Sequence, residues 1–128
     1  MRLLLDTHAL LWAIDSPEKL GQEAREVLTA PGQQVLVSTV SLWEIAIKIS
    51  LDRLDLDPDW REIIESGLEH MHGRWLTIKP AHCGIVATLP WWHRDPFDRM
   101  LVAQAISEDL ALVTRDRAMA DYGVQVIW

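Results

Sequence analysis

Four carboxylates stand where a parallel sheet would bring them together: Asp6, Glu44, Asp98 and Asp116. Asp6 ends the apolar run Leu3-Leu4-Leu5 directly, and Asp116 follows Leu110-Ala111-Leu112-Val113 after Thr114 and Arg115. Asp98 is the third residue of a helical pattern opened by Asp95 and Pro96, a helix-start signal. Glu44 lies early in a helical pattern that follows Gln34–Val37. In an open parallel sheet, ligands bind beyond the carboxyl ends of the strands, where loops and helix N-termini converge. All four acids then face one edge. Two carboxylates about 4 Å apart repel by roughly 4 kcal/mol at an effective dielectric near 20, so such a cluster needs cations. An all-oxygen donor set is the preference of Mg²⁺, with Mn²⁺ a possible substitute.

Each acid also has a purely structural reading. Asp6 can cap the helix that follows it, and Asp116 can cap a short turn of helix at Arg117–Tyr122. Glu44 can close a capping box with Ser41 or pair with Lys48 four residues on. Asp98 can favour a helix dipole, although on the helical wheel it shares a sector with Leu101, Val102 and Ala105, where a solvated charge does not belong. Arg99, Arg115 and Arg117 are candidates to hold a phosphate backbone and equally candidates for surface ion pairs. A zinc site does not compete: His8, His70, His72, His82 and His93 are scattered and Cys83 is alone.

The elements that must position these groups alternate in type. Short runs rich in Leu, Val and Ile predict strands at Arg2–Leu5, Gln34–Val37, Trp75–Ile78, Leu110–Val113 and Val124–Ile127. Helical patterns fall between them at His8–Ala13, Gly21–Thr29, Val40–Leu51, Asp59–Met71, Ala81–Leu89 and Pro96–Glu108. The wheel of the Val40–Leu51 segment has two apolar faces and a narrow polar stripe of Ser41, Glu44 and Lys48, which predicts a mostly buried helix. The fold class expected is α/β, an α/β/α sandwich with a central, mostly parallel sheet of four to five strands.

The chain's 128 residues suit one domain spanning 1–128. Of these, 49% are apolar and 24% charged, which excludes a disordered chain, and no apolar run is long enough for a membrane span. The single cysteine and the absence of a leader-like start make the cytoplasm the expected compartment. A formal charge of −7 argues against a partner gripped by a broad basic surface. The seven tryptophans are read as core or interface residues rather than a site.

Four stretches together resemble a known family: Leu-Leu-Asp6-Thr7-His8, Ser41-Leu42-Trp43-Glu44-Ile45-Ala46-Ile47-Lys48, Asp95-Pro96-Phe97-Asp98-Arg99-Met100-Leu101-Val102-Ala103-Gln104-Ala105 and Val113-Thr114-Arg115-Asp116. In order and spacing they are similar to the PIN (PilT N-terminus) domain, and within it to VapC-type toxins of bacterial type II toxin–antitoxin pairs. By that resemblance Asp6, Glu44, Asp98 and Asp116 match the acidic quartet, and Thr7 and Thr114 match the supporting hydroxyls. The resemblance implies a magnesium-dependent endoribonuclease acting on RNA, a homodimer, and neutralisation by a cognate VapB-type antitoxin. Competing readings are a Mg-binding phospho-receiver or phosphatase-like domain, whose Lys-Pro pair Lys79-Pro80 imitates although Val35-Leu36-Val37 leads into Ser38-Thr39 where an acceptor aspartate would be wanted, and a catalytically idle interaction domain.

Overall fold

The apolar runs form strands β1 (Arg2–Leu5), β2 (Gln34–Ser38), β3 (Arg74–Leu76), β4 (Ala111–Val113) and β5 (Val126–Ile127). In the computed structural model, which describes residues 1–128, they build one sheet in the order β3-β2-β1-β4-β5, with every neighbouring pair parallel. β1 is central: Leu3 lies opposite Val35 on one side and Ala111 on the other. Because successive strand residues face opposite sides, Leu3 and Leu5 enter one apolar layer and Leu4 the other.

The helices cover both faces. Ala9 and Leu10 of α1 (Thr7–Asp15), Ala24 of α2 (Gln22–Thr29), Ile45 of α3 (Thr39–Ser50), and Ile64 and Leu68 of α4 (Trp60–His70) pack with Leu3, Leu5, Val35 and Val37. On the opposite face, Leu101, Val102 and Ala105 of α6 (Pro96–Glu108) pack with Leu4 and Leu112, and α5 (Pro80–Val86) lies against α6. The result is the expected α/β/α sandwich, its sheet wholly parallel. No helix is long and apolar enough to cross a membrane.

Three expectations need correction, the first being β5, which spans Val126–Ile127 rather than Val124–Ile127. β3 spans Arg74–Leu76 rather than Trp75–Ile78. It is an edge strand with one partner, and Ile78 is exposed just before Pro80 opens α5. The α3 helix is also not mostly buried. Its polar stripe turns inward, with Ser41 and Glu44 buried, while Trp43 and Ala46 face outward. The wheel ranks residues by hydropathy, but the inner face of α3 borders a polar pocket at Glu44 and Lys48 as well as the core at Ile45.

Candidate active site

The carboxyl edge of the sheet is a small polar pocket of about 210 Å³ lined by Asp6, Thr7, Glu44, Lys48, Asp95, Asp98, Thr114, Arg115 and Asp116 among others. Each acid is placed by a local device. Asp6 caps α1, its Oδ1 accepting from the Ala9 N–H at 2.8 Å. Ser38 caps α3 through the Val40 N–H, which sets Glu44 one turn into the helix. Asp95 caps α6, accepting from the N–H groups of Phe97 at 2.8 Å and Asp98 at 3.2 Å, and so aims Asp98 from the first turn. Asp116 caps the 3₁₀ turn Arg117–Tyr122 through the Ala118 N–H at 3.0 Å. Capping and pocket position are therefore compatible, since helix N-termini and strand ends meet at one edge.

Hydrogen bonds link the acids to their surroundings. The Thr7 hydroxyl donates to Glu44 Oε1 at 2.6 Å and shares a second contact with Ser41 Oγ at 3.1 Å. Lys48 Nζ meets the other Glu44 oxygen at 2.7 Å, so the expected i,i+4 pair exists inside the pocket. That contact lifts the Lys48 ammonium above its ordinary range. The Thr114 hydroxyl accepts from the Asp116 N–H at 3.1 Å. Burial raises the Asp6 carboxyl, with Thr114 and the Ala9 amide opposing. Burial also pushes Asp98 up to about 6; contact with His93 opposes that, while the nearby charges of Asp95 and Glu44 add to it.

His93 is the residue that sequence reasoning missed. Its Nε2–H donates to Asp98 Oδ2 at 2.8 Å, and its Nδ1 lies 3.7 Å from Asp116 Oδ2. The available signal was its place five residues ahead of Asp98, in the segment leading to the helix start. The three arginines divide. Arg115 lines the pocket and is exposed, and Arg117 is exposed on the adjacent 3₁₀ turn. Arg99, expected as an RNA contact, is corrected: it is only 3% exposed. Its guanidinium donates inward to the carbonyls of Val86, Leu89, Pro90 and His93 at 2.8–3.4 Å. No phosphate backbone can reach it there.

The donor set is chemically suited to a hard divalent cation: four carboxylates, with burial disfavouring the charged forms of Asp6 and Asp98 until a positive charge arrives. As the side chains stand, no three acids or imidazoles close around one point. Glu44 is turned to Thr7 and Lys48, and Asp98 to His93. Lys48 and His93, which make those contacts, are both partly exposed.

Fold and pocket define a class: three-layer α/β/α domains with an acidic site at the carboxyl edge of a parallel sheet. Within that class, the chain belongs to the PIN domain family, whose model matches residues 3–125; nucleases of this family generally use a divalent metal. The chain is 27% identical over 121 residues to Ribonuclease VapC22 of Mycobacterium tuberculosis (strain ATCC 25618 / H37Rv), covering 94% of this chain and 91% of that protein. Among solved structures, VapBC2 from Rickettsia felis, bound to a DNA fragment from their promoter, matches with a TM-score of 0.71 at 16% identity, covering 98% of this chain and 97% of that one. FitAcB from Neisseria gonorrhoeae matches with a TM-score of 0.63 at 19% identity, covering 97% and 95%. At such identities the structural matches speak to the fold.

Proposed function

We propose that this chain is a Mg²⁺-dependent endoribonuclease, the toxin of a bacterial type II toxin–antitoxin pair, with residues 1–128 forming a single nuclease domain. The observation that carries the reading is the gathering of Asp6, Glu44, Asp98 and Asp116 around one pocket in a PIN-family chain. The similarity to Ribonuclease VapC22 supports the ribonuclease assignment, and the likeness to VapBC2 suggests a VapB-type antitoxin as partner. A homodimer working in the cytoplasm completes the proposal.

In this reading Asp6 and Asp98 hold the metal most directly, with Glu44 and Asp116 completing the acidic set. When bound, the ion supplies Lewis acidity that activates water and neutralises a phosphate oxygen. Thr7 fixes the rotamer of Glu44 through its 2.6 Å hydrogen bond, and the Thr114 hydroxyl pins the backbone of Asp116. Arg115, at the pocket wall, and Arg117, beside it, hold the RNA backbone while the leaving 3′ oxygen departs. Products then carry a 5′-phosphate and a 3′-hydroxyl.

The test is purified protein on total RNA with Mg²⁺, followed by end-group analysis. Cleavage with those ends, lost in excess EDTA and in Asp98→Asn, is expected. Cleavage that is unchanged by EDTA, or a folded Asp98→Asn variant at full activity, would sink the metal mechanism. The receiver-like alternative loses its lysine, because Lys79 pairs with Glu108 at 2.8 Å. Glu108 ends α6, whereas Asp98 opens it, so that pair lies about 15 Å from the pocket at 1.5 Å per helical residue.

A further inference from the structure

We propose that Trp91 and Trp92 form a stacking platform for unpaired bases of an RNA strand whose phosphate lies in the acidic pocket; this rests on the nuclease reading above. Both indoles are held outward, at 73% and 65% exposure, which is costly for the largest apolar side chains unless something covers them.

The segment that carries them is braced rather than slack. Arg99 donates to the carbonyls of Leu89 and Pro90 just before the indoles and of His93 just after. Its guanidinium carbon also sits 3.8 Å from the centroid of the Trp91 ring, supporting one face of that ring. Tyr122 closes the other side: its hydroxyl donates to the Pro90 carbonyl and accepts from the His93 N–H, both at 2.8 Å, and its ring lies 5.1 Å from that of Trp92. A buried cation and a tyrosine are thus committed to presenting two indoles.

The platform neighbours the pocket along the chain: Trp92 is followed directly by His93, whose ring contacts Asp98. Next in the chain, Arg94 is exposed and outside every ion pair, available to a phosphate. Charge supports the same occupant. A chain of formal charge −7 gains little from general attraction to RNA, whereas base stacking on an aromatic face is indifferent to net charge and tolerant of sequence. Stacking requires unpaired bases, so the platform favours a single strand or an open loop over a duplex.

The experiment compares wild type with Trp91→Phe, Trp92→Phe, Trp91→Leu and Trp92→Leu. The probe is a 12-nucleotide single-stranded RNA of mixed sequence, alone or annealed to its complement, with KM and kcat measured in Mg²⁺ and oligomeric mass measured by light scattering. Phenylalanine keeps a π-face, and leucine keeps only apolar bulk. Each leucine variant is expected to raise KM for the single strand about 5- to 100-fold, with kcat little changed. Each phenylalanine variant should stay within a few-fold of wild type, and the duplex should be a poor substrate throughout. Leucine variants that keep the wild-type KM while wild type cleaves would overturn the platform and leave the nuclease reading intact. Leucine variants whose KM rises only in step with loss of a dimer would assign the indoles to a subunit contact, also overturning it. Wild-type protein that neither binds nor cleaves any RNA would overturn the nuclease reading itself.

Discussion

Asp98 is charged at neutral pH against its surroundings, since burial chiefly pushes its carboxyl up to about 6 and His93 only partly restores it. A folded-state value above the unfolded one contributes stability that is full below about pH 4 and lost as pH rises through about 6. At 1.36 kcal/mol per unit the ceiling is about 3 kcal/mol. Asp98→Asn keeps the shape, removes the charge and weakens the contact to His93, so a gain of about 1–3 kcal/mol in the metal-free protein at pH 7.5 is expected. The gain should shrink towards pH 4, which thermal denaturation at both pH values checks; a variant less stable than wild type at pH 7.5 would contradict it. Because protons and cations compete for the same oxygens, added Mg²⁺ should raise the wild-type melting temperature more at pH 7.5 than at pH 5.5, and should not raise that of Asp98→Asn. An equal rise at both pH values would remove Asp98 from the metal-holding set.

The turn between α5 and α6 depends on Arg99, three residues after Pro96 and by type a surface cation. Its planar fork serves four carbonyls, whereas lysine offers a single point charge with three donors. Arg99→Lys is therefore expected to cost about 2–4 kcal/mol by leaving buried acceptors unpaired. Amide exchange in residues 89–95 should quicken more than in β1; uniform quickening would argue against a local brace. This contrast also explains what the chain disclosed in advance. Asp6, Asp98 and Asp116 were legible because each is tied to a strand end or a helix start by its immediate neighbours, a signal carried in two or three residues. His93 was not, because its ring reaches Asp98 only through a segment bent back by Arg99 and Tyr122, contacts made across the fold. The inward turn of α3 failed for a related reason: hydropathy cannot distinguish a polar pocket from water. The strands of the centre, β1 and β2, were readable from their Leu and Val runs, while β5 shrank from four expected residues to Val126–Ile127 at the sheet's edge.

The far end of the chain is locked to the rest by a close approach. The Trp128 carbonyl accepts from the Ala24 N–H at 3.0 Å, and a Cβ built on Gly21 would stand 2.3 Å from that carbonyl oxygen. Gly21→Ala should therefore push Trp128 off α2, at a cost of about 1–3 kcal/mol; an unchanged melting temperature would show that the segment yields freely. Sheet order carries a further consequence. β1 is made first, yet its two neighbours arrive at very different times, since Leu3 pairs with Val35 on one side and Ala111 on the other. Until β4 docks, one flank of the Leu-rich central strand stays bare, a slow and exposed stage of assembly. Asp116 joins Asp6 only after that step, because it follows β4. On the proposed reading, a nascent chain halted before β4 holds an unfinished acid set, and the harm this protein can do to its maker's own RNA begins only after that strand has been made and docked.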